Sequence, residues 1–244
     1  MKAKNAPLRP TLAAASLLAL NISAQGAGSI IVQDAFNRDG ALVGSNANTG
    51  QTWTGSSTYN TFSAGSFYQV DGDTTSYAAI TGLTFLASST YCLAVDMEIF
   101  LPISDGYLAL GYAEAGATDF ATNTVGAFQL LESAEVVSHP EDLTLPVTTS
   151  VSSTSHRLEI ILETDATLTN STLTWEVDGG FIRTETGIDA STLDGVFLAH
   201  GSTDNLFRAR FERFELLGPI PEPSTGALLA LGGLAALRLR RRTA

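Results

Sequence analysis

Short runs rich in Val, Ile, Thr, Tyr and Phe recur along the chain, separated by clusters of Gly, Asn, Asp and Ser. No stretch keeps a helical apolar period over ten or more residues, so the pattern predicts strands. Eleven are expected: Ser29–Asp34, Ser66–Val70, Tyr77–Thr81, Tyr91–Phe100, Tyr107–Ala113, Val125–Glu132, Arg157–Glu163, Thr172–Asp178, Phe181–Glu185, Val196–His200 and Leu206–Leu217. Alternation is clearest late in the chain. Leu158, Ile160 and Leu162 share one parity against Arg157, Glu159 and Glu163, and Leu173, Trp175 and Val177 oppose Thr174, Glu176 and Asp178. Successive strand side chains point to opposite faces, so each of these strands has one wet face. Asp178-Gly179-Gly180 reads as a tight hairpin turn. Phe207, Ala209 and Phe211 differ in parity from Phe214 and Leu216, which predicts a β-bulge near Glu212-Arg213.

The expected fold class is therefore all-β: a two-sheet antiparallel sandwich of jelly-roll type over residues 27–218, with a signal helix before it and a short hydrophobic helix after it. The one long irregular stretch in this body runs from Gly40 to Ser66.

Charge sharpens the division. Residues 28–218 hold six Arg, no Lys and 24 of the 25 carboxylates, a formal charge of −18. A body this acidic repels phosphate backbones and excludes nucleic acid as a partner. The remaining seven basic residues lie at the two ends. Lys2, Lys4 and Arg9 precede the apolar run Leu12–Leu20 and then a small, polar stretch, the order of a secretory signal peptide over residues 1–26, removed by signal peptidase. Cys92 is the only cysteine, so no internal disulfide is available, and it is expected to be a small buried hydrophobe.

From Gly218 onward the chain reads GPIPEPSTGALLALGGLAALRLRRRTA: a Pro-rich stretch, an apolar run and an Arg cluster. An apolar run ending in arginines inserts with the cluster in the cytoplasm. From Ser224 to Leu237 it spans only about 21 Å as a helix, against a hydrocarbon core near 30 Å, which suits a transient anchor. Pro221-Glu222-Pro223, the short apolar helix, and Arg238, Arg240, Arg241 and Arg242 together closely resemble a PEP-CTERM sorting signal over residues 219–244. The resemblance implies a Gram-negative bacterium that makes extracellular polysaccharide, recognition by an inner-membrane exosortase, removal of the tail, and release to the cell surface or matrix. The prolines flanking Glu222 keep it extended and out of the helix.

Asp34-Ala35-Phe36-Asn37-Arg38, with Phe211-Glu212-Arg213-Phe214-Glu215-Leu216 on the last strand, resembles concanavalin A-like lectin/glucanase (laminin G-like) jelly rolls. That fold hosts lectins, glycosidases and adhesion modules alike.

Candidate chemistry is sparse. Asp96 and Glu98 share one strand face, as in glucanases whose strand bears E-x-D-x-x-E, but the outer glutamates of that pattern are missing. The pair is thus a weak catalytic alternative to a solvated strand face, as are Glu159/Glu163 and Glu176/Asp178. Asp71 and Asp73, or Asp34 with Asn37 and Asp39, offer oxygen ligands for calcium, the one cofactor considered. Trp53, Tyr59, Asn60 and Tyr68 lie in or beside the long polar loop and are candidate ligand-binding residues, whereas the parity of Trp175 places it in the core. No phosphate loop or G-x-S-x-G elbow occurs. The expectation is a non-catalytic surface or matrix protein that binds polysaccharide or protein, with an exported polysaccharide-acting glycoside hydrolase as the alternative.

Overall fold

A computed structural model describes residues 28–221 apart from 39, 56–59, 62–67, 72–74, 102–105, 142–144 and 203–207. The expected signal helix and C-terminal helix lie outside the described residues, among which there is no helix. The strands are β1 Ile30–Asp34, β2 Gly40–Ala41, β3 Thr54–Gly55, β4 Asn60–Thr61, β5 Tyr68–Asp71, β6 Ser76–Thr81, β7 Ser89–Leu101 and β8 Tyr107–Glu114. They continue with β9 Thr124–Leu131, β10 Glu135–Glu141, β11 Val147–Ser150, β12 Ser155–Glu163, β13 Ser171–Val177, β14 Gly180–Ile188, β15 Leu193–Gly201 and β16 Arg208–Pro221.

Two seven-stranded antiparallel sheets result. Sheet 1 runs β1-β16-β7-β12-β13-β14, with β5 also paired to β16, and sheet 2 runs β11-β10-β9-β8-β15-β6-β3. The inward parities meet in one core: Leu93, Val95, Leu158, Ile160, Leu173, Phe211 and Phe214 from sheet 1 lie against Leu108, Leu110, Phe128, Leu130, Val196 and Leu198 from sheet 2. Two polar handles cross that core. Trp175 Nε1 donates to the Ala127 carbonyl at 3.2 Å, and the Tyr112 hydroxyl donates to the Ile160 carbonyl at 3.2 Å. A buried indole N–H or phenol without a partner is costly, so both bonds also fix how the sheets face each other.

The eleven expected strands all form, and the alternation in β12 and β13 holds residue by residue. The bulge is where the parity shift placed it: Phe211 pairs with Met97 but Phe214 pairs with Val95, three steps on β16 against two on β7. Asp178 and Gly179 both have positive φ and close the two-residue turn between β13 and β14. A second bulge lies in β9, where Gly126 has φ +67° and faces Leu173 across the core.

β10 and β11 were not expected. Ser138-His139-Pro140 interrupts the apolar pattern of β10, yet the strand pairs with β9 and buries Val136 in the core.

Candidate functional site

Of the carboxylates singled out from sequence, Asp96, Glu98 and Glu159 lie on the outer face of sheet 1, each beside a guanidinium. Arg157, opposite Asp96 on the neighbouring strand, reaches Asp96 and Glu215 at 3.2 Å and Glu159 at 3.1 Å. Arg213 approaches Asp96 at 3.5 Å, while Arg210 contacts Glu98 at 2.5 Å and Glu212 at 2.9 Å. Asp96 and Glu98 thus lie on a partly solvated, ion-paired strand face. A shallow pocket of about 320 Å³ opens there, lined in part by Asp96, Glu98, His156, Asp178 and Glu212.

Glu159 and Glu176 pair directly across β12 and β13. Burial, and then the neighbouring Glu159, hold the Glu176 carboxyl above its ordinary value. On the same face the thiol of Cys92 is half-buried and pushed up to about 12, by burial first and Glu159 second, which leaves it unreactive.

His156 lies between Asp178, 2.7 Å from Nδ1, and Ser153, whose carbonyl and Oγ are 3.0 and 3.2 Å from Nε2. The residue order is that of a nucleophile triad. The Ser153 hydroxyl, however, donates to the Ser155 carbonyl at 3.1 Å, and Nε2 faces the Ser153 carbonyl more closely than the hydroxyl. The arrangement therefore ties the β13–β14 turn to β12: Asp178 also accepts from the Arg157 backbone N–H at 2.9 Å.

Two expectations are corrected. Trp53, read as an exposed loop aromatic, is wholly buried and packs edge-on to Phe214 at 5.1 Å. Asp34, considered with Asn37 for calcium, is also wholly buried. Its two oxygens accept from Arg38 at 2.6 and 2.7 Å, from the Phe36 N–H at 2.8 Å and from Trp53 Nε1 at 2.7 Å. A carboxylate so occupied has no lone pair directed at a cation. The Asn37 side chain instead accepts from Asn48 at 3.1 Å. Tyr59, Asp73 and Asp39 lie outside the described residues, as do Glu222, Pro223, Arg238, Arg240, Arg241 and Arg242; Asn60, Tyr68, Asp71 and Pro221 are described in backbone only, as strand residues.

The feature that sequence reasoning missed is the outer face of sheet 2. Its outward positions carry small residues, Ala79, Ala109, Gly111, Ala113, Ala127 and Ala199, and aromatic rings lie across them. A Cβ at Gly111 would come within 2.6 Å of the Phe197 ring, and one at Gly201 within 2.5 Å of the Tyr107 ring, so both rings rest on glycine backbone. Tyr77 stacks on Phe197 at 5.3 Å. Phe120, from the loop between β8 and β9, completes the cluster against Tyr107 at 5.4 Å and Phe197 at 5.9 Å. His139 meets the edge of Phe120 and bonds Gln129 at 2.9 Å.

Beside this cluster lies a pocket of about 440 Å³ lined by Thr54, Gly55, Tyr77, Ala117 and Thr118. Burial, with the Asp119 charge adding to it, raises the Tyr77 phenol well above its ordinary range and pushes Tyr107 up to about 12. Both hydroxyls keep their protons at any physiological pH. Glu114, at the end of β8, and Asp194, near the start of β15, are the carboxylates of the central strands β8, β9 and β15.

The molecule is thus a two-sheet sandwich, and solved structures share its fold. An endo-1,3-beta-glucanase from Streptomyces sioyaensis matches with TM-score 0.53 at 13% identity, covering 87% of this chain and 98% of that one. A structure described as "Prominent members of the human gut microbiota express endo-acting O-glycanases to initiate mucin breakdown" matches with TM-score 0.52 at 11% identity, over 78% of this chain and 99% of that one. The chain also spans 16% of the length of a sialidase, at TM-score 0.47 and 10% identity. No curated protein matches it. Residues 219–242 match the PEP-CTERM protein-sorting motif, so the chain carries the signal of an exported, exosortase-sorted protein.

Proposed function

We propose that the protein is a surface or extracellular-matrix component of a Gram-negative bacterium, released from the inner membrane by an exosortase, whose sandwich binds a neutral polysaccharide without cleaving it. The observation that carries this reading is the pocket at the edge of sheet 2, where the exposed Thr54 and Thr118 and the largely buried Tyr77 line an opening beside the buried aromatic cluster. Hydroxyl-bearing side chains at the rim of an opening with an apolar wall suit the mixed apolar and hydroxylated faces of a sugar. The body's formal charge of −18 favours an uncharged glycan over a uronate or sulfate polymer.

Co-sedimentation of the full-length protein with the host's own extracellular polysaccharide, with and without calcium, tests this while released reducing sugar is assayed. Saturable binding without sugar release is expected, and Tyr77→Ala weakens it by about tenfold or more. Binding unchanged in Tyr77→Ala and Thr118→Ala, with their melting intact, removes the face from consideration.

One observation favours a hydrolase as the second reading. Glu159 and Glu176 are directly opposed, with Cβ atoms of such partners about 5 Å apart, and Glu176 is the carboxyl biased toward holding a proton. Sugar release lost in Glu176→Gln, or in Asp96→Asn or Glu98→Gln, establishes that reading in place of the first.

A further inference from the structure

β16 continues past the core and into the sorting motif. Leu217 pairs with Ile30 of β1 and Cys92 of β7. At Gly218 the chain is pinned: its N–H donates to the Ser29 carbonyl at 2.9 Å, and its carbonyl accepts from the Ser29 hydroxyl at 2.7 Å. A Cβ here would lie 2.6 Å from the Tyr91 ring, and φ is +142°, so the position suits only glycine. Beyond it, after a one-residue shift of register, Ile220 and Pro221 pair with Thr90 and Ser89. The sorting motif begins at residue 219, and Pro221 is the first residue of Pro-Glu-Pro. No linker separates the folded body from its processing signal.

The hold on these last residues is weak. Two of the three residues after Gly218 are prolines and have no N–H to give the ladder, leaving Ile220 as the sole backbone donor. Strand ends of this kind open at a small fraction of the global unfolding free energy.

We propose that Pro219–Pro221 is a latch: folding of the sandwich holds the leading residues of the sorting motif against Ser89–Thr90, and the exosortase engages the motif when this segment peels away, hinging at Gly218. The proposal rests on the exosortase-sorting reading above and adds a control point to it. The body is thereby presented to the membrane enzyme already folded, with the strand unpaired only from Pro219 onward.

Two full-length variants test the latch in opposite directions, with tail removal followed by pulse-chase in spheroplasts of the exosortase-bearing host. Six Gly-Ser residues inserted between Ile220 and Pro221 free the Pro-Glu-Pro motif and leave the strand in place. Thr90→Cys with Ile220→Cys, in a Cys92→Ala background, staples it, because directly opposed antiparallel partners have Cα atoms about 4.5–5.5 Å apart, within disulfide range. The spacer is expected to shorten the processing half-time at least threefold. The staple lengthens it at least tenfold, and added dithiothreitol restores the original rate. Wild-type rates in both variants, with melting temperatures unchanged and the disulfide confirmed, overturn the latch while leaving sorting intact. Tail removal that is absent throughout, or equal in cells lacking the exosortase, overturns the sorting reading and the latch together.

Discussion

Trp53 Nε1 donates to Asp34 Oδ2 at 2.7 Å, and both side chains are wholly buried. The bond joins the middle of the long polar loop to the end of β1. It completes the set of four donors that neutralises a carboxylate enclosed in the core. Removing that carboxylate leaves the Arg38 guanidinium and the indole N–H without their acceptor. Asp34→Ala is expected to cost about 3–5 kcal/mol, and Trp53→Phe, which removes one donor and keeps an aromatic ring, about 1–3 kcal/mol. Urea denaturation measures both; a loss below 1 kcal/mol for Asp34→Ala contradicts this account.

His200 is 1% exposed, and burial pulls it down from 6.5 to about 4. The unfolded chain then binds a proton at a pH where the native state does not. Stability from this residue is complete above pH 6.5 and is lost as pH falls toward 4, by about 3 kcal/mol in all. His200→Gln removes that dependence, so its urea midpoint should fall less than the wild type's between pH 7 and pH 4.5. Parallel curves for the two proteins rule out His200 as the source.

Gly126 combines φ +67° with a Cβ position 2.8 Å from Leu173 Cδ1 on the opposite sheet. Alanine there meets both the backbone penalty and the clash, and should destabilise by about 1–3 kcal/mol. Leu173→Ala in the same chain relieves the clash, so a double-mutant cycle should show favourable coupling between the two sites. Independent, additive effects contradict the packing argument.

Arg157 is the cation shared by Asp96, Glu159 and Glu215. Arg157→Met leaves three carboxylates facing one another on a partly solvated sheet face, and a loss of about 1–2 kcal/mol at pH 7 follows. High salt should reduce the loss. A deficit independent of salt would mean that Arg157 acts only through its apolar stem.

The strands of sheet 1 were legible because each has one wet face and one dry face, which is the pattern alternation detects. The bulge at Glu212-Arg213 left the same trace, a change of parity between Phe211 and Phe214. β10 was not legible because its outward and inward positions include His139 and Ser138, so that burial and polarity no longer coincide. Trp53 was misplaced for a related reason: a polar loop surrounds it in sequence, while the partner that draws it inward, Asp34, lies nineteen residues away. The aromatic cluster on sheet 2 left no contiguous signature in the sequence. Tyr77, Tyr107, Phe120 and Phe197 come together only because β15 is inserted between β6 and β8. Its one local hint was the run of alternate Ala and Gly in β8, small residues where a half-exposed strand more often carries polar ones.

The double hydrogen bond between Ser29 and Gly218 places the entrance and exit of the body side by side, on neighbouring antiparallel strands at one end of sheet 1. Tension applied between those two points does not load the β1–β16 ladder in shear. It opens the ladder from that end, one hydrogen-bonded pair after another, as a zipper opens. A body held at both ends would therefore yield early and in steps, at forces well below those that a sheared pair of strands withstands, which single-molecule stretching between residues 29 and 218 would record. Held at one end only, as after loss of the tail, the same fold carries no load across that seam and remains closed.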